Sequence, residues 1–306
     1  TLALYTAVFL GTSLFTRPKP MHLYALAVST TLCCLVAALQ LFGKNPLRLF
    51  PAGLSYADAG TRYSGVYLGT IGNMNLTDAF LCMAIPLFFV VLIHSKRFWP
   101  AVPLVSALAV TLAAGGSGAA VALTVTALAA MLVLPKRRPW RLVFGAAALV
   151  ILIGGLLVLW FWPGQSGTAY EFSRLLHGQV EDSFGSSRIL IWRKCLELFP
   201  QRPLLGGGPD TLPLRLDIQF TRFVPETGVT LKSFVDNAHN VYLGYLINCG
   251  ALGLAAYLML LLGCCIRLLR ARKRGWEALL LAILCGAAQA FFGLGLCLTE
   301  PIFFAL

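Results

Sequence analysis

Long apolar runs separated by short polar clusters recur along most of this chain. An α-helix needs about 20 apolar residues to cross the ~30 Å hydrocarbon layer, and a chain in lipid must pair its backbone groups internally. The pattern therefore predicts a polytopic helical membrane protein. Eight spans are expected: Leu2 to Phe15, Met21 to Phe42, Leu76 to Ile93, Ala101 to Ala114, Ala119 to Leu134, Leu142 to Trp162, Asn240 to Ile266 and Ala278 to Leu298. The fold class is all-α, a single transmembrane domain over residues 1–306 with no soluble core. The first span is short and has no methionine, and the sequence stops soon after the eighth, so both ends read as trimmed and further helices are expected beyond them.

The polar clusters differ in character. RPKP (17–20), HSKRFWP (94–100), PKRRPWR (135–141) and RLLRARKRGWE (267–277) hold 13 of the 24 basic residues. Under the positive-inside rule these loops face the cytoplasm, and strict alternation of the eight spans puts all four on one side. The opposite side receives 43–75 and a large extracytoplasmic loop, 163–237, with eight basic and eight acidic residues. Long loops are exported regardless of charge, and a segment of this length is usually functional. Short amphipathic helices are expected within it.

Composition agrees: 58% of residues are hydrophobic, 12% are charged, and mean hydropathy is +0.79. The net charge of +12 is then mostly topology and calls for no nucleic-acid partner. Nine cysteines form no disulfide framework: Cys33, Cys34, Cys82, Cys249, Cys264, Cys265, Cys285 and Cys297 lie in spans, and Cys195 alone lies in an exported loop. They read as small buried apolar side chains. With no CxxC pair and with His22, His94, His177 and His239 scattered, neither a protein-bound metal nor a cofactor is expected.

Chemistry narrows to polar groups at the exported ends of spans. In DNAHNVYLGYLINCGALGLAAY, Asp236 or Asn237 is positioned to cap the seventh span, placing His239 in its first turn. Free N–H groups and the helix dipole there disfavour positive charge, so the imidazole is expected to be neutral and able to accept a proton. A polar interfacial cap is the alternative use of the same residues.

In SSRILIWRKCLELFPQRPLLGGGPD, winding at about 100° per residue aligns Arg188 with Trp192, Cys195 and Phe199 and puts Arg193, Lys194 and Glu197 opposite. An arginine on the apolar stripe needs a reachable partner. A lipid-linked phosphate would serve, because a guanidinium binds phosphate oxygens in pairs; snorkelling or a structural carboxylate would also satisfy it. PLLGGGPD reads as a turn whose N–H groups either meet an anion or simply make a tight bend.

AAGGSGAA (113–120) must be a tight exported hairpin, serving close approach of a ligand or close helix packing through small residues. Asn75 is expected to cap the third span, with Asp78 one turn inside as a functional carboxylate or a structural partner for a cation such as Arg62. Glu300 at the exported end of the last span belongs to the same class.

SSRILIW, PLLGGGPD and DNAHNVYLGYLINCGALGLAAY, in that order and on one side of the membrane, resemble the bacterial O-antigen ligase and polymerase family over roughly Gly72 to Tyr257. The resemblance implies a GT-C-like membrane glycosyltransferase. Such an enzyme moves an oligo- or polysaccharide from undecaprenyl pyrophosphate to an acceptor hydroxyl, with inversion and without metal, at the periplasmic face of the bacterial cytoplasmic membrane. His239 would be the general base, and Arg188 would hold the pyrophosphate and stabilise the leaving group. Trp192, Arg193, Arg202, Asp236, Asn240, Asn75, Asp78 and Ser117 are the further candidates for substrate contact. The acceptor would be lipid A core for a ligase, another lipid-linked glycan for a polymerase, or a protein as in some relatives, with membrane lipids around the site.

One departure stands out. Family members usually carry Ser-Arg-Gly where this chain has Ser117-Gly118, and that arginine is thought to share the pyrophosphate. Either Arg62, Arg193, Arg202, Arg215, Arg222 or Lys232 replaces it, or this chain handles its donor differently or has lost activity. A transporter or flippase of lipid-linked saccharide is the competing class. It calls for charges along a path through the membrane, and Asp78 and Glu300 lie near span ends. Nor does the sequence show an internal repeat or the paired broken helices of an inverted-repeat transporter.

Overall fold

A computed structural model describes residues 2–15, 19–47, 49, 69–95, 97–216, 218–224 and 229–295. Arg62, Cys297 and Glu300 lie outside these residues, as does the side chain of Arg222. The order is α1 Leu2–Phe15, α2 Pro20–Leu41, α3 Met74–Ser95, α4 Ala101–Ala114, α5 Ser117–Val133, α6 Arg138–Trp160, α7 Gly167–Leu176, α8 Phe184–Leu198, a 3-10 turn Phe199–Gln201, α9 Leu212–Arg215, β1 Gln219–Val224, β2 Val229–Phe234, α10 Val241–Ala271 and α11 Trp276–Ala290.

Each expected span is helical, and the protein is an all-α polytopic membrane protein. By length and composition α2, α3, α6 and α10 can cross a membrane, while α4, α5 and α11 are shorter apolar helices. The long segment after α6 does carry short helices, α7 to α9. It also holds a two-stranded sheet that the reading by spans left out, β1 paired with β2.

Two spans differ from expectation. Helix α11 stops at Ala290, short of Leu298, because Phe291 and Phe292 turn back onto the Ala288 and Gln289 carbonyls and Gly293 and Gly295 follow; glycine is a poor helix former. Helix α10 is broken at Gly250, whose φ of 69° and ψ of −173° no helix accommodates. We call the pieces α10a (241–249) and α10b (251–271). In a continuous helix Tyr245 and Tyr257 would be about 18 Å apart along the axis, yet their rings stack with centroids 4.4 Å apart. The bend is therefore sharp. Only α10b, about 30 Å long, has the length of a span.

The chain forms two compact units. In one (1–123, 220–233, 264–306), α3 packs between α11 and α4, and α4 also meets α2. Phe88, Leu81, Thr77 and Asp78 on α3 are buried. Small residues let these helices approach: Cys82, Ala119, Ala122 and Cys285 form one buried cluster, joined by Leu123 and Ala288. This is the close packing that AAGGSGAA allowed for. Gly115, at φ 65°, ends α4 in the left-handed conformation, and α5 starts two residues later. The other unit (124–219, 234–263) holds α6 to α9 and the bend of α10. Helix α6 shows apolar side chains such as Leu149, Val150 and Ile153 on its outside, as lipid-facing helices do.

Candidate active site

The site is built where two irregular backbone segments meet within the second unit. Gly185, Ser186 and Ser187 have φ of 62°, 58° and 65°, three successive left-handed residues before α8 proper begins at Arg188. For the two serines this conformation costs roughly 1–2 kcal/mol each, so neighbouring contacts must hold it. Glu171 of α7 accepts the Gly185 N–H at 3.0 Å, and Arg188 Nη1 donates to the Gly185 carbonyl at 2.8 Å. The turn folds the arginine back toward its own helix start. Arg188 Nε is buried and has no partner among the described residues. Burial lowers the pKa of this guanidinium from its ordinary value, and the Glu171 carboxylate opposes the shift.

One turn along α8, Trp192 Nε1 donates to the Ala238 carbonyl at 2.9 Å, which ties the helix to the residue before His239. His239 itself is left-handed, with φ of 47°. Asn237 Oδ1 accepts its backbone N–H at 2.9 Å, an Asx turn of the kind that supports such a residue. Asn240, buried, accepts the Leu243 N–H on its Oδ1 at 3.1 Å and is the true cap of α10. This corrects the expectation for DNAHN: neither Asp236 nor Asn237 caps the helix, and His239 precedes it rather than lying in its first turn. Asn237 is diverted to the Asx turn, which leaves the cap to Asn240.

Burial and a neighbouring charge, more than the helix dipole, favour the neutral form of the imidazole. Burial lowers the His239 pKa below its usual value, the nearby Arg188 charge lowers it further, and Asp236 opposes both. Among the described residues none hydrogen-bonds either ring nitrogen. Asp236 is exposed and accepts from Asn237 Nδ2 at 2.6 Å. Arg188, Trp192, Asp236, His239 and Asn240 are thus brought together.

The other candidates are placed differently. Arg193 is exposed and paired with Asp182, and Lys194 pairs with Glu197 at 2.7 Å. Arg202 is exposed beyond the 3-10 turn. Burial pushes the Cys195 thiol up to about 11, against the influence of Arg215, so it is an inert packing group. In the first unit, Asn73 and not Asn75 caps α3: its Oδ1 accepts from the Asn75 and Leu76 N–H groups, because α3 starts at Met74. Asn75 is exposed. Asp78 is buried against the α4–α5 hairpin, where a Cβ on Gly116 would lie 2.5 Å from its Oδ2, and Ser117 opens α5 next to it. Among the described residues no three His, Cys, Asp or Glu side chains gather as metal ligands.

Sequence reasoning missed the role of PLLGGGPD. Gly207 and Gly208 N–H groups donate to the Ile247 and Asn248 carbonyls at 2.9 and 3.0 Å, and the Ala251 and Leu252 N–H groups donate to Pro203 and Leu204 at 2.8 and 3.3 Å. The turn fills the break in α10, so those glycine N–H groups are spent on backbone and are not offered to an anion. Glycine is required there: a Cβ on Gly206 would lie 2.5 Å from the Asn248 carbonyl carbon, and one on Gly250 would lie 2.1 Å from Leu204 O. The available signal was Gly250 beside polar Asn248 inside an apolar run. Glu171, also missed, carries no spacing that links it to Arg188.

A protein-family model described as O-antigen ligase matches residues 102–258, just over half of the chain. The chain belongs to the O-antigen ligase family. The match includes both Arg188 and His239 and ends one residue past the resemblance, but it begins at Val102 rather than at Gly72. No curated protein matches the chain. Membership makes this a membrane glycosyltransferase of the ligase or polymerase type, acting on lipid-linked glycans. After Ser117, Gly118 has no room for a side chain, since a Cβ there would sit 2.8 Å from Phe292 Cβ. Of the cations that could stand in for the missing arginine, Arg193 is engaged by Asp182 and Arg215 by the Ile247 carbonyl at 3.1 Å.

Proposed function

We propose that this protein transfers an oligo- or polysaccharide from undecaprenyl pyrophosphate to an acceptor hydroxyl, with inversion and without a metal, at the extracytoplasmic face of the bacterial cytoplasmic membrane. The observation that carries the reading is the bond from Trp192, one turn beyond the half-buried Arg188 on the same helix, to the carbonyl of the residue before His239, which holds the guanidinium and the imidazole in one neighbourhood. The basic loops on the other side of the spans support the choice of face.

In the reaction, His239 takes the proton of the acceptor hydroxyl as its oxygen attacks the anomeric carbon. The bond from that carbon to the pyrophosphate oxygen breaks, and undecaprenyl pyrophosphate leaves with the electron pair. Arg188 meets the growing charge with its Nη2 and Nε donors, since Nη1 is already given to Gly185. Its depressed pKa still leaves it cationic, and a guanidinium in low dielectric stabilises an anion more strongly than one in water. A neutral base beside a cation is well matched to this task, because proton uptake coincides with release of an anion next to it.

The test supplies purified protein with a defined undecaprenyl pyrophosphate glycan and competing acceptors, lipid A core and a second lipid-linked glycan. Product mass and anomeric configuration identify the reaction. An inverted glycosidic bond to one acceptor supports the proposal, and the acceptor chosen separates ligase from polymerase. A retained configuration, or movement of the donor across liposomes with no product, contradicts it.

A further inference from the structure

Half-helix α10a spans residues 241–249, about 13 Å, too short to be stable alone. Its amino end follows His239, and its carbonyl end stops in the bend at Gly250. A helix end leaves its last carbonyls unpaired, and in membrane surroundings these must be met by protein. Here Ile247 O receives two donors, Gly207 N at 2.9 Å and Arg215 Nη1 at 3.1 Å, and Asn248 O receives Gly208 N. The guanidinium sits against Gly207, where a Cβ would be 1.7 Å from Nη1. A cation at a helix carboxyl end is also favoured by the dipole. On the far side of the bend, Ala251 and Leu252 bond to Pro203 and Leu204.

We propose that Arg215 and the Pro203–Gly208 turn are the positioning device for His239, gripping the carbonyl end of α10a and so setting where its other end presents the imidazole. This rests on the assignment of His239 as the base. The half-helix is a lever pivoting at Gly250. A rotation of about 4° moves its far end by about 1 Å over a ~14 Å arm, and a displacement of that size can cost about 100-fold in rate. Arg215 is a positioning residue and does not touch the donor.

The full-length protein, Arg215→Lys and Arg215→Met are compared by turnover of an undecaprenyl pyrophosphate glycan and by amide hydrogen exchange. In Arg215→Met, kcat falls about 10- to 100-fold, donor KM stays within about twofold, and exchange quickens in 203–208 and 241–252 but not in α3. Arg215→Lys, which can still donate to Ile247 O, recovers much of the rate. Should Arg215→Met fail to insert, Gly207→Ala displaces the guanidinium while keeping its charge, and the same kcat loss is expected. A raised donor KM with kcat intact overturns the proposal by putting Arg215 on the donor; unchanged exchange or unchanged kcat overturns it as well. The exchange result is independent of chemistry, so wild-type turnover by His239→Ala would remove the base assignment and leave the grip on α10a standing or falling by exchange alone.

Discussion

His239 owes its character to neighbours that pull in opposite directions: burial and Arg188 lower its pKa, and Asp236 raises it. A base must be unprotonated to work, so the rate falls as pH drops through the pKa, and that acid limb should lie below about 6.5, the ordinary histidine value. Replacing Asp236 with asparagine removes the charge that favours imidazolium. The pKa then drops further, and the acid limb of a kcat–pH profile shifts to lower pH, while a shift upward would contradict the electrostatic account. At this scale the sequence was informative about partners and weak about local geometry. Arg188 on the apolar stripe and His239 at a helix start were both legible, because each is a polar group in a place that penalises it. The cap of α10 was not: Asp236 and Asn237 were the expected choices, Asn240 is an equally good cap by residue type, and only the Asx turn to the His239 N–H takes Asn237 away from the helix.

At the scale of elements, the bend in α10 matters most. Hydropathy sees an apolar run from Val241 onward and cannot register a single glycine within it. The break is set by a segment some forty residues earlier that docks into it. Two substitutions in the same helix separate packing from propensity. Gly250→Ala combines a left-handed φ with a Cβ 2.1 Å from Leu204 O, and should cost about 3 kcal/mol or more. Gly244→Ala, whose Cβ would meet nothing within 4 Å, should be tolerated or gain roughly 0.5–1 kcal/mol. Thermal unfolding in detergent reads both, and equal stability of the two variants would mean that the turn does not fill the break. The β1–β2 pair escaped notice because apolar length, and not period-two alternation, governed the reading of that loop.

For the molecule as a whole, length and charge of the runs were enough to place eight helices, because lipid demands that backbone groups pair within each span. The proposed orientation rests on the basic loops and has a direct check. Glu181→Cys in the long loop and Arg138→Cys in a basic loop should differ in labelling by a membrane-impermeant maleimide on intact cells. The first should react and the second only after permeabilisation, whereas the reverse would invert the topology and put the site in the cytoplasm. What the chain could not reveal was how the Pro203–Gly208 turn and the break at Gly250 use one another, since those contacts join residues far apart in sequence.

The most direct test of the account is turnover by His239→Ala with a defined undecaprenyl pyrophosphate glycan and its acceptor, alongside donor binding. Loss of the proton acceptor should lower kcat by about 10²- to 10⁴-fold, with membrane insertion and donor binding through Arg188 retained. Turnover at the wild-type rate would show that the imidazole is only part of a cap and that the chemistry lies elsewhere.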